Sequence, residues 1–206
     1  MGRPRKSEER DTRQDILDAA LDLFAQSGFF GTSMREIARE VGVRESALYH
    51  HFPSKEAILE GLAHSYGPGQ ARHLAELDIG AMLDALGPRQ LLEQLVQFMI
   101  TSWSTPHEQK MLRLILSEGP RFEEHGVLNL PAYVFQARKN ISRVFEEMIR
   151  RKLIKKADPI TLTVAFMAPL MMMRMIYLVM PKGPPDLKAL KGEIDRHLDF
   201  FWSAVT

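Results

Sequence analysis

The sequence predicts an all-α protein built in two parts, and three observations carry that reading. Apolar residues recur at helical offsets along nearly the whole chain. No stretch sustains the two-residue alternation or the β-branched density of a strand. Glycine and proline break the pattern at intervals that suit helices of ordinary length. With 206 residues, 45% of them apolar, the chain can bury a proper core in one large domain or two small ones. The absence of cysteine excludes disulfides, thiolate metal ligands and a cysteine nucleophile. Met1 to Lys6 is basic but runs into Glu8, Glu9 and Asp11 instead of an apolar segment, so no secretory signal and a cytoplasmic location are expected.

The first helix is expected where Ile16, Leu17, Ala20, Leu21 and Phe24 line one face, with Gly28 placed to stop it. Ser33 and Glu36 have capping-box spacing and open a short helix from Met34 to Val41, which carries Ile37, Ala38 and Val41 inward until Gly42 breaks it. A second short helix is expected from about Glu45 to His51. Phe52-Pro53-Ser54 closes it, and Ser54 caps a fourth helix that begins at Lys55. Tyr66-Gly67-Pro68-Gly69 is the clearest punctuation in the chain and sets a domain boundary, giving 1–66 and 67–206. Breaks at Gly87-Pro88, Thr105-Pro106, Gly119-Pro120, Leu130-Pro131, Asp158-Pro159 and Gly183-Pro184-Pro185 then divide the second part into five or six helical segments. Pro159 to Met180 is long and apolar, but Arg174 would be costly in a lone membrane span. The run is therefore read as a core or interface helix, with no membrane involved.

From Met34 to Phe52 the chain reads MREIAREVGVRESALYHHF, with Ala38, Gly42 and Leu48 at the spacing of a helix-turn-helix. Ala38 is small where two helices cross, Gly42 can take the positive φ of the tight turn, and Leu48 seals the crossing with Ile37 and Val43. The net charge of +1 neither favours nor excludes nucleic acid, because DNA binding needs a local basic surface and not a basic total. Arg44, Glu45 and Ser46 at the start of the second short helix, with Arg35 on the first, are candidate base readers. Arg44 suits guanine or phosphate contact, or is a solvated charge; Glu45 is a cytosine reader, a negative selector or a partner of Arg44. Arg3, Arg5 and Lys6 form a basic arm that can reach phosphates or the minor groove, or a solvated tail.

The stretch from the first helix through Gly31-Thr32-Ser33, Leu48-Tyr49-His50-His51-Phe52 and Lys55-Glu56 resembles the N-terminal domain of TetR-family transcriptional regulators, closely over about a quarter of the chain. The resemblance implies a three-helix DNA-binding domain with the second short helix in the major groove of a double-stranded operator. It also implies that Thr32, Tyr49, His50 and Lys55 clamp phosphates, with Ser33 beside them. Arg44 departs from the small capping residue the family commonly has at that position, so a cap is lost and a long donor is gained.

For the second domain the resemblance implies a helical unit that binds a small effector and holds a homodimer through its last two long helices. Leu187, Leu190, Ile194, Leu198 and Phe201 form a stripe at the chain end that wants a partner helix, and four helices from two subunits would supply it. The Pro159 to Met180 helix is rich in methionine, whose thioethers adapt to irregular apolar ligands. Phe98, Trp103, Met111, Tyr133, Phe145, Met167 and Met171 are candidates for a pocket taking an apolar or amphipathic effector. Arg174 either pairs a ligand carboxylate or pairs an acid of the protein. An enzyme is not expected: seven histidines are present, but no G-x-S-x-G, no H-E-x-x-H and no phosphate-cradling loop accompany them, and no cofactor is expected. A nonspecific architectural DNA binder would leave about two-thirds of the chain without a purpose.

Overall fold

The computed structural model describes residues 12–181 and 183–206, which form α-helices, a 3-10 segment and a π turn, with no strand among them. The helices are α1 (Thr12–Ser27), α2 (Met34–Val41), α3 (Glu45–His51), α4 (Lys55–Ser65), α5 (Ile79–Leu86), α6 (Pro88–Trp103), α7 (Pro106–Glu124), α8 (Leu130–Arg150), α9 (Pro159–Arg174) and α10 (Leu187–Val205). The 3-10 segment Gly67–Ala75 follows α4, and the π turn Met175–Val179 continues α9. The chain divides into two compact units. The first runs to Tyr66 and takes in Lys110–Asn129; the second comprises Gly67–Gln109 and Leu130–Thr206. The 67–206 stretch expected as one domain therefore gives up Lys110–Asn129, and the division falls within α7.

In the first unit, α1 turns Ile16, Leu17, Ala20, Leu21 and Phe24 inward, and α4 presents Ile58, Leu59, Leu62 and Ala63. Phe29 meets Phe24 edge-on at 5.2 Å and Phe122 at 5.5 Å, so the end of α7 closes this core. Lys110 also pairs with Asp22 of α1. Those contacts explain why the break expected at Gly119-Pro120 does not occur. Pro120 lies inside α7, where it withholds a single N–H one turn before the helix ends, and burial of Phe122 outweighs that loss. Gly28 has φ +75, ending α1 in the left-handed conformation its position requires.

The second unit has its own core, in which α6, α8, α9 and α10 contribute Leu92, Val96, Phe145, Met148, Phe166, Leu170, Leu190 and Phe201. Phe166 packs on Phe145 at 5.6 Å and on Phe201 at 5.0 Å, and His197 bonds the Phe166 carbonyl at 2.9 Å. Leu190, Ile194 and Phe201 of the terminal stripe are buried in this core, while Leu187 is exposed, so most of the stripe finds its partner inside the unit. With its π turn, α9 is long and apolar enough to cross a membrane by length and composition, yet Phe166, Leu170, Met173, Arg174 and Leu178 are buried inside the unit.

Candidate nucleic-acid interface and apolar cavity

Local chemistry fixes the α2–α3 pair. Ser33 Oγ accepts the Glu36 N–H at 3.2 Å and Glu36 Oε2 accepts the Ser33 N–H at 2.8 Å, a reciprocal box that holds the Glu36 carboxyl below its usual range. Gly42 ends α2 at φ +78 and sends its N–H to the Ala38 carbonyl at 3.0 Å; the space around it is open, so the dihedral alone demands glycine. Arg44 then stands at the N-cap of α3 in extended conformation without a side-chain cap. Leu48, Ile37 and Ala38 are buried at the crossing. What faces outward from α3 is Glu45, Ser46, Ala47, Tyr49, His50 and His51.

Arg44, Glu45, Ser46, Tyr49 and His50 are all exposed, Tyr49 at 49%. Arg35 is 87% exposed at its side chain, and its Nε lies 3.8 Å from Glu45 Oε1, so the acid leans toward α2 and not toward Arg44. A pair this open contributes at most about 1 kcal/mol and yields easily to another partner. Thr32 differs from what the family resemblance implies. It is 4% exposed, and its hydroxyl donates inward to the Gly28 carbonyl at 2.8 Å, which commits it to the end of α1. Ser33 is likewise committed to the cap of α2. Lys55 sends two N–H bonds of 2.6 Å to the carbonyls of Phe29 and Thr32 and sits 4.4 Å over the Phe29 ring, leaving its third donor for an outside acceptor. Burial lowers the Lys55 pKa, and Glu56, Glu118 and Glu36 oppose that shift. Arg3, Arg5 and Lys6 lie outside the described residues.

The second unit contains a cavity of about 800 Å³. Phe98, Trp103, Met167, Met171 and Arg174 line it, as the sequence suggested. Met111, Tyr133 and Phe145 do not: Met111 is buried in the first unit, Phe145 is in the core against Phe166, and Tyr133 is half-buried on α8, where its neighbour Val134 lines the wall instead. Arg174 is buried, donates from Nη2 to Glu108 Oε2 at 2.8 Å, and lies 4.9 Å over the Trp103 ring. Glu108 Oε1 accepts the Gly67 N–H at 2.6 Å. Burial raises the Glu108 carboxyl, and the Gly67 N–H and then Arg174 offset it; burial lowers the Arg174 pKa, and Glu108 offsets that. Sequence reasoning missed Glu108, because an acid in the first turn of a helix reads as an ordinary complement to the helix dipole. It also missed Arg138, which joins Arg174 in the cavity wall.

Comparison with known proteins places these features. Residues 16–62, which hold α2, α3 and most of α1 and α4, match the family described as bacterial regulatory proteins, tetR family. The HTH-type transcriptional regulator SrpR of Pseudomonas putida is 27% identical over 162 residues, covering 79% of this chain and 70% of that protein. TtgW, an uncharacterized HTH-type transcriptional regulator also from Pseudomonas putida, is 30% identical over 129 residues, covering 63% of this chain and 89% of that protein. Among solved structures, a TetR family transcriptional regulator from Pseudomonas syringae superimposes with a TM-score of 0.71 at 20% identity, covering 95% of this chain and 97% of that one.

Proposed function

We propose that this chain, which belongs to the TetR family of bacterial regulatory proteins and is a DNA-binding transcriptional regulator and not an enzyme, acts as a cytoplasmic repressor released from a palindromic operator by an apolar or amphipathic effector. The observation that carries the reading is the outward face of α3, kept clear of the core by the buried Leu48 and held in one orientation by the Ser33–Glu36 box and Gly42. Arg44, Glu45 and Ser46, with Arg35 beside them, are the base readers; Tyr49, His50 and the third donor of Lys55 hold phosphates. The arm carrying Arg3, Arg5 and Lys6 adds a share of the salt-dependent grip. Thr32 and Ser33 act one step back, by building the turn that positions these groups.

The regulator works as a homodimer through α9 and α10. Val164, Met172, Ile176 and Met180 from α9 and its continuation, with Leu187 and Phe200 of α10, remain exposed and supply an apolar surface for a second copy. A twofold dimer sets two α3 helices about 34–36 Å apart, in successive major grooves. The cavity of the second unit takes the effector. Its occupancy matters only if the effector binds the DNA-incompetent form more tightly, since equal affinity shifts nothing. The test is selection of duplexes from a random pool by the purified chain. Recovery of a palindrome with half-sites about one helical turn apart supports the reading, and recovery of no preferred sequence at low salt overturns it.

A further inference from the structure

Resting on the reading of this cavity as an effector site, we propose that its ligand is an amphipath with an anionic head, a carboxylate above all, received by Arg174 and Arg138. The wall is apolar over most of its extent, from Leu91 and Leu95 through Phe98 to Met167 and Met171. Among its lining residues there is no aspartate or glutamate, and the two permanently charged ones are both arginines. Each carries a buried Nε–H that meets no acceptor among the described residues, an arrangement folded proteins avoid unless something else supplies the partner. Glu108 answers only the Nη2 of Arg174, and its second oxygen is taken by the Gly67 N–H. Arg138 lies 5.6 Å from the Phe135 ring and has no carboxylate partner among the described residues.

The charge balance follows from those contacts. Arg174 and Glu108 cancel as a pair, so Arg138 leaves the wall with one excess positive charge in apolar surroundings, where electrostatic attraction is stronger than in water. A carboxylate accepts up to four hydrogen bonds and suits the planar donors of a guanidinium. A hydroxyl head can accept, but with less energy, and a quaternary ammonium head has no acceptor for the guanidinium and meets a like charge.

The experiment uses the full chain and three probes with one alkyl chain and different heads: dodecanoate, dodecanol and dodecyltrimethylammonium, each kept below its micelle concentration. Binding is read from Trp103 fluorescence and from calorimetry. The expected result is that dodecanoate binds at least about tenfold more tightly than dodecanol, with the cation weakest. Arg138→Gln is expected to cut that preference to about threefold or less. The paired replacement Arg174→Met with Glu108→Gln is expected to do the same without stranding a buried charge, and circular dichroism confirms that each variant is folded. Equal binding of the three probes, or a preference for dodecanoate that survives both replacements, overturns the anionic-head proposal and leaves an effector cavity that reads only shape. Failure of every probe to bind the folded parent overturns both.

Discussion

Replacing Arg174 by methionine strands Glu108, and the structure sets the scale of the damage. The carboxylate is buried, loses the 2.8 Å bond from Arg174 Nη2 and keeps only the Gly67 N–H at 2.6 Å. Breaking a buried pair by removing one partner costs about 3–5 kcal/mol when the remaining charge must stay. Glu108 has an escape, because it can take up a proton. From an ordinary value of 4.5, protonation at pH 7 costs about 3 kcal/mol, which caps the electrostatic loss. Removing the guanidinium from the Trp103 ring, 4.9 Å away, adds about 1 kcal/mol. Arg174→Met is therefore expected to lose about 3–4 kcal/mol at pH 7 at most. A carboxyl raised in the folded state stabilises fully below its unfolded value of 4.5 and loses that contribution as pH rises through the folded value. The gap between variant and parent therefore narrows as pH falls toward 4.5 and widens toward neutrality. Glu108→Gln lacks the escape, since a guanidinium does not shed its proton, whereas the double replacement leaves no lone charge and stays within about 1 kcal/mol of the parent. Urea unfolding followed by tryptophan fluorescence reads this directly, because both tryptophans, Trp103 and Trp202, lie in the second unit. A loss under about 1 kcal/mol for Arg174→Met at pH 7, or a double variant as unstable as the sum of the singles, would show that Glu108 and Arg174 do not stabilise each other.

Gly28 and Gly42, both at positive φ, separate backbone strain from crowding. Gly42→Ala should cost about 1 kcal/mol, since its new Cβ meets nothing, while Gly28→Ala should cost at least about 1 kcal/mol more in thermal unfolding because its Cβ collides with Glu118 Oε1, the acceptor of the Phe29 N–H. Thr32→Val should lower stability by about 1–2 kcal/mol while changing operator affinity of the folded chain by less than about threefold; a large affinity loss at unchanged stability would restore the phosphate contact. Arg150 and Arg151 hold the Glu147 carboxyl down to about 2, so its stabilisation is complete above the ordinary 4.5 and disappears as pH falls toward 2. Glu147→Gln should accordingly lower the unfolding midpoint at pH 7 and flatten the acid limb, so that the gap to the parent closes as pH falls toward 2.

The elements up to α4 were legible because their signals are local: a capping box at Ser33–Glu36, a glycine at 42 whose turn needs positive φ, and a serine at 54 ahead of Lys55. The exposure of Arg44, Glu45 and Ser46 was legible too, since exposure on a short amphipathic helix is set by the same periodicity that buries Leu48. What failed depends on distant partners. Pro120 looked like a break because a sequence window does not show Phe122 meeting Phe29, and that contact draws the end of α7 into the first unit. Glu108 and Arg174 are 66 residues apart and carry no pairing signal in either segment. The terminal stripe was correctly seen as apolar, but periodicity does not say whether a helix's partner is its own core or another subunit.

Sequence reading by the exposed start of α3 is tested by anisotropy titration of the selected duplex and a scrambled duplex at fixed salt. The parent is compared with a chain in which Arg44, Glu45 and Ser46 are alanine. No side chain caps α3, so this replacement leaves the helix start intact. The parent is expected to prefer the selected duplex by about a thousandfold or more, and the variant to keep weak, salt-sensitive binding while losing at least about tenfold of that preference. A folded variant with the parent's full preference would contradict sequence reading by α3.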